Sequence, residues 1–192
     1  MKKESPSNYN RIGMAFGQRG RFVEAVEAFE RAIEIKPDYA PAYHNLGLVW
    51  WTLGQLDRAA ASYRKAIDIE PTNDEPHCGL ARVLARQGAY DESLEVLRNA
   101  AFCSPRSAKV QFNLGRALER SLEWDEAAAC YRRAIELNPL NVESYTRLAR
   151  LCLFILDRSD EAVALLTTAS GIDREDARVR RALDEALELV VR

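Results

Sequence analysis

Residues 43–71 read YHNLGLVWWTLGQLDRAAASYRKAIDIEP. Tyr43, Leu46, Gly47 and Trp50 are spaced i, i+3, i+4 and i+7, which puts them on one face of an α-helix. Gly54 stops that helix, and Leu56, Ala59, Ala60, Tyr63, Ala66 and Ile67 then form a second apolar stripe. The small residues Gly47 and Ala59 let two helix backbones approach closely, so the stretch reads as an antiparallel helical hairpin. Pro71 cannot continue the second helix, and Glu70 before it is steered away from α geometry, so the chain turns there into its next element. One hairpin cannot bury its own apolar face, whereas stacked copies make one continuous core.

The copies are present. Pro37, Pro71, Pro105 and Pro139 fall 34 residues apart each time. Aligned on them, Ile12-Gly13, Leu46-Gly47, Leu80-Ala81 and Leu114-Gly115 form one column, and Phe29, Tyr63, Leu97 and Tyr131 another. Ala25, Ala59, Ser93 and Ala127, then Ala32, Ala66, Ala100 and Ala134, complete a set in which every member is small or apolar. The units run over residues 6–39, 40–73, 74–107, 108–141 and 142–174. In the fifth, Glu161-Ala162 arrives one residue late, which predicts an insertion in the loop Leu156-Asp157-Arg158-Ser159; Asp173 and Arg174 stand where a proline was due. Val179, Ala182, Leu183, Ala186, Leu187 and Val190 then make a single stripe, so a closing helix over 175–191 is expected to cover the last hairpin and end the array.

The pattern Tyr43-x-x-Leu46-Gly47-x-x-Trp50, followed by Ala59-x-x-x-Tyr63 and Pro71, resembles the tetratricopeptide signature, and the resemblance extends from residue 6 to about 174. It implies an all-α fold, a right-handed α-α superhelix or solenoid of five hairpins plus a C-terminal capping helix, forming one domain over residues 1–192. It also implies a scaffold that binds a protein or peptide in a concave groove.

Composition narrows the other possibilities. With 47% hydrophobic and 29% charged residues the chain is expected to fold, and no run approaches the roughly 20 apolar residues of a membrane-spanning helix. The start, Met1-Lys2-Lys3-Glu4-Ser5-Pro6, carries no apolar run of the export type. Cys78, Cys103, Cys130 and Cys152 lie far apart with no Cys-x-x-Cys pair, so they read as reduced thiols and a cytoplasmic location is expected; neither a metal nor a cofactor is. A formal net charge of −2 argues against a general nucleic-acid binder. No phosphate loop, dinucleotide fingerprint, His-Glu-x-x-His or Gly-x-Ser-x-Gly occurs, and the expectation is a protein that is not an enzyme. His77 shares a packing column with Tyr43 and Tyr145 and reads as core, while His44 is expected on the ligand face.

The resemblance further implies that the second, fifth, ninth, twelfth and thirteenth positions of each repeat point into the groove. Units one and two then contribute an uncharged lining that includes Asn10, His44, Leu48 and Trp51. Units three to five contribute Arg82 and Arg86, then Lys109, Phe112, Arg116 and Arg120, then Arg150 and Phe154. Six basic residues stand here against Glu75, Glu119 and Glu143, in a chain that is net negative. Arg82, Arg116 and Arg150 are 34 apart and are expected to form a ladder, whose forks suit acidic residues or a free C-terminus. The alternative is that the three glutamates neutralise them within a solvated face. Trp51, Phe112 and Phe154 are either ligand anchors or padding of the core.

Two family patterns are met in part. Asn113 and Arg147 match positions that grip a C-terminal carboxylate in some members, but the lysines of that clamp are absent and Glu143 would oppose it. Asn45 and Asn113 are similar to the asparagine ladder of O-linked N-acetylglucosamine transferases, which leaves a regulatory fragment of a larger enzyme as one further reading and homo-oligomeric assembly as another.

Overall fold

The computed structural model describes residues 5–190, of which Val190 only as backbone; the Lys2-Lys3 pair and the expected last turn at 191 lie outside the described residues. Among these residues there are eleven α-helices and no strands. They are α1 (Pro6–Gln18), α2 (Phe22–Ile35), α3 (Ala40–Thr52), α4 (Leu56–Ile69), α5 (Asp74–Gln87), α6 (Tyr90–Cys103), α7 (Ala108–Arg120), α8 (Trp124–Leu137), α9 (Val142–Phe154), α10 (Ser159–Ile172) and α11 (Ala177–Val190). The fold is an all-α array of helical hairpins, as the resemblance implies, and the chain divides into two compact units between Ser104 and Pro105.

Punctuation in the sequence sets the helix ends. Each of the four periodic prolines falls in the short link after a second helix, and four of the five first helices begin on polar caps: the side chains of Ser5, Asn73, Ser107 and Asn141 accept backbone N–H bonds from the opening turns of α1, α5, α7 and α9, while α3 follows Tyr39 without a side-chain cap. Inside the hairpins, Gly20, Gly54 and Gly88 turn the chain at φ 74°, 73° and 84°. The fifth hairpin link is four residues long, Ile155 to Arg158, against three in the first, second and fourth, as the late Glu161-Ala162 predicts.

In the first unit, α1 packs on α2 and α3, and α3 on α4 and α5, so the first helices of its hairpins lie side by side. One core cluster gathers around Phe29, the next around Tyr63, and Trp50 packs against both. The glycine column has a specific cause. A Cβ built on Gly13 would stand 2.5 Å from the Phe29 ring, and on Gly47 2.6 Å from the Tyr63 ring, so these positions are empty to admit an aromatic side chain. Each such ring withdraws roughly 150–250 Å² from water, worth about 4–6 kcal/mol before entropic costs. His77 is buried and its Nε2–H donates to the Pro71 carbonyl at 2.9 Å, tying α5 to the link before it.

In the second unit, α7 and α8 form a hairpin, α9 packs on α8 and α10, and α11 lies on α10 and α9. Tyr131 is fully buried against Gly115 as Tyr63 is against Gly47. Val179 of the closing helix joins Tyr145 and Ala169 in a cluster with Leu165 and Ile172 around it. Where the other links carry proline, Asp173 accepts N–H bonds from Glu175 and Asp176, both at 3.1 Å, and so starts the last helix with a side-chain turn.

Candidate functional site

Each unit carries its own face of first-helix side chains. In the first unit, Asn45 of α3 donates through Nδ2 to Asn10 Oδ1 of α1 at 2.9 Å, so two residues expected to meet a ligand are bonded to each other. Leu48 is exposed beside them. His44 is half-buried, its ring tilted against Tyr63 at 5.8 Å.

One turn further along α3, the half-buried indole of Trp51 has two guanidinium groups over it: Arg82 Cζ lies 4.6 Å and Arg86 Cζ 5.5 Å from the ring. Two arginines one turn apart repel by roughly 0.2–0.5 kcal/mol, and each exposed cation–π contact returns roughly 0.5–1 kcal/mol. The indole therefore holds the pair together, and the two positive charges remain uncancelled. Burial pushes the Tyr63 phenol above its ordinary pKa, and the nearby Arg82 charge partly opposes that rise.

The second unit holds an arginine differently. Glu119 of α7 accepts the Tyr131 hydroxyl at 2.8 Å and Arg147 Nη1 of α9 at 3.2 Å on the same oxygen, with Glu143 3.9 Å from Arg147. Burial first, and then the Glu119 charge, push the Tyr131 phenol far up, so it remains a donor throughout the working pH range. Asn113 turns back onto its own helix, donating to the Lys109 carbonyl at 2.9 Å. Phe112 is buried and tilted against Tyr131 at 5.8 Å, which gives most of its ring to the interior, with Arg116 Cζ 5.9 Å above it. Lys109, Arg116, Arg120, Arg150 and Phe154 line the solvent side of these helices and are all exposed.

Glu119 and Glu143, expected to neutralise the ladder, instead pair with Arg147, which stands outside it. Arg147 is paired within the protein, whereas Arg82, Arg86, Arg116 and Arg150 form no ion pair with a carboxylate among the described residues. The bonds Asn10–Asn45 and Tyr131–Glu119 were not anticipated. Only the second carried a sequence signal, since a tyrosine in a packing column needs a partner for its hydroxyl. Among the described residues no His, Cys, Asp or Glu side chains gather in a metal-holding group of three, and no helix is long and apolar enough to cross a membrane. Burial pushes the Cys152 thiol up to about 11, which keeps it protonated. Cys78 is buried in α5.

Comparison with known proteins gives the same architecture. A "TPR repeat" family model matches residues 13–54 and 51–88, and two "Tetratricopeptide repeat" models match 108–141 and 130–164. No curated protein sequence matches the chain. Among solved structures, the thermophilic TPR protein TTC0263 of Thermus thermophilus is 26% identical with a TM-score of 0.69, covering 95% of this chain and 99% of its own. PilF of Pseudomonas aeruginosa is 22% identical with a TM-score of 0.79, over 96% of this chain and 90% of its own. YrrB, described as a TPR protein with an unusual peptide-binding site, is 19% identical with a TM-score of 0.70, over 94% and 93%.

Proposed function

This chain belongs to the tetratricopeptide repeat family, and from that premise we propose that it is a protein-interaction module whose first-helix faces take acidic segments of a partner. The observation that carries the acidic preference is the set of guanidinium groups without carboxylate partners, above all Arg82 and Arg86 held over Trp51. Guanidinium forks pair bidentately with carboxylates, and stacking leaves their in-plane N–H groups available for that purpose. Leu48 and the half-buried Trp51 supply apolar surface beside the charges. YrrB, of the same fold, is described as having a peptide-binding site. Rigid helices lose little freedom on binding while the peptide loses its own, so affinity falls in the micromolar range, about −8 kcal/mol.

Fluorescence anisotropy tests the reading, with an aspartate- and glutamate-rich peptide against its lysine counterpart. The wild type is expected to prefer the acidic peptide, and a variant with Arg82→Ala, Arg116→Ala and Arg150→Ala to lose at least roughly tenfold in affinity, about 1.4 kcal/mol. Circular dichroism would verify that the variant keeps its helices. Equal binding of both peptides, or an affinity unchanged in the triple variant, would sink the acidic preference.

A further inference from the structure

A second surface of the first unit lies between its second helices. Two pairs of neighbouring second helices, one in each unit, are tied across the intervening first helix by an arginine on one and a glutamate on the next. Arg64 of α4 meets Glu92 of α6 at 3.7 Å, and Arg132 of α8 meets Glu161 of α10 through two guanidinium nitrogens at 2.7 and 3.1 Å. The residues between them at the floor, Leu84 and Cys152, offer a cation nothing to stack on.

The first member of the series breaks the pattern. At the equivalent places α2 carries Glu30 and α4 carries Arg58, so the charges are exchanged, and the floor position is Trp50. Arg58 does not cross to Glu30; its Cζ lies 4.8 Å from the Trp50 ring. Neither Glu30, Arg58 nor Lys65 forms an ion pair among the described residues. The result is a cleft of about 420 Å³, open to solvent, floored by Tyr43, Leu46 and Trp50, with Glu30 on one wall and Arg58 and Lys65 on the other.

We propose that this cleft docks an amphipathic helical segment of a partner protein that presents a large apolar side chain to Trp50 and carboxylates to Arg58 and Lys65. The charge on the α4 wall selects the carboxylates. Arg58 and Lys65 are seven residues apart on α4, two turns or roughly 10.5 Å, which matches two carboxylates seven residues apart on a helix laid alongside. An open trough leaves a small molecule mostly in water, whereas sites for small ligands enclose most of their surface, so a chain segment is the better fit. This surface is independent of the arginines that carry the proposal for the first-helix faces.

The test uses the full chain and a fluorescein-labelled helical peptide with two glutamates about seven residues apart and phenylalanine between them. Its lysine counterpart serves as control. Wild type is expected to bind the glutamate peptide at least roughly tenfold tighter than the lysine one. Arg58→Glu with Lys65→Glu should abolish the difference. The exchange Glu30→Arg with Arg58→Glu, which recreates the bridge of the other clefts, should likewise abolish binding and raise the melting temperature. The triple variant at Arg82, Arg116 and Arg150 should bind this peptide as wild type does. Loss of the peptide from the triple variant but not from the cleft variants would overturn the proposal and favour the first-helix face. Full displacement by phenylacetate would make the cleft a small-acid site and overturn the peptide assignment. Concentration-dependent self-association in light scattering, abolished by both cleft variants, would overturn it by placing a second copy there.

Discussion

Trp51 and Glu119 occupy the same place in their repeats, 68 residues apart, and each holds arginine from the next hairpin. The indole lies under Arg82 and Arg86 without neutralising their charge; the carboxylate pairs with Arg147 and cancels it. Two register positions differ together: Trp51 becomes Glu119, and Gly79 becomes the Arg147 that Glu119 holds, while Arg150, the counterpart of Arg82, forms no ion pair among the described residues. Gly79 and Arg147 are matched in the same way. The Tyr63 ring lies 2.6 Å from where a Gly79 Cβ would stand, while Arg147 reaches Glu119 beneath the Tyr131 hydroxyl. Ser144 is a simpler case. Its hydroxyl is fully buried in α9 with no hydrogen-bond partner, in a column that holds Ala42, Pro76 and Val110 elsewhere. Ser144→Ala removes an unsatisfied oxygen and leaves the backbone cap from Asn141 in place. It is expected to stabilise the protein by about 1 kcal/mol, read as a melting-temperature rise of about 2–4 °C.

At the scale of elements, the turns inside the hairpins repeat a bond pattern but not a residue. Gly20, Gly54 and Gly88 stand in left-handed geometry, and Leu122 takes the fourth place at φ 61°. Left-handed backbone costs a residue with a Cβ roughly 1–2 kcal/mol. Leu122 is exposed, so little packing is lost with it. Leu122→Gly is expected to raise stability by about 1 kcal/mol in urea denaturation, after the greater freedom of glycine in the unfolded chain is deducted. The closing helix carries a pH dependence. Arg178 donates to Asp176 at 2.9 and 3.1 Å, backbone N–H groups add to it, and together they hold the Asp176 carboxyl at about 2, below its ordinary 3.8. A carboxyl whose pKa is depressed by folding stabilises above its ordinary range and stops doing so as the pH falls through the folded value. The protection of α11 amides, taken relative to their intrinsic exchange rates, should thus fall between about pH 4 and 2, and Asp176→Asn should remove that step without altering protection in α3 or α4.

For the whole molecule, contacts between neighbouring elements dominate, as in any repeat array, so stability is close to a sum of local parts. The first unit has two core clusters of its own, around Phe29 and Tyr63. Residues 1–104 alone are expected to fold with a cooperative urea transition and helical circular dichroism; a chain without cooperativity would show that its core needs the rest of the protein. The helices, their links, the late fifth hairpin and the closing helix were all legible in residues 6–190, because each depends on spacing along the chain: period, breaker and cap. The glycine column was legible as a column but its reason was not. Gly47 reads in sequence as a place where backbones approach, and in space it admits the Tyr63 ring. Which arginines are spoken for, and which cleft is left open, depended on partners 28 to 35 residues away, such as Glu119 for Arg147, Glu161 for Arg132 and Asn10 for Asn45. Sequence alone determined the repeat and its helices, since those follow from local spacing. Only the tertiary structure decided the pairing of charges, because a guanidinium takes whichever carboxylate or ring the packing brings within reach.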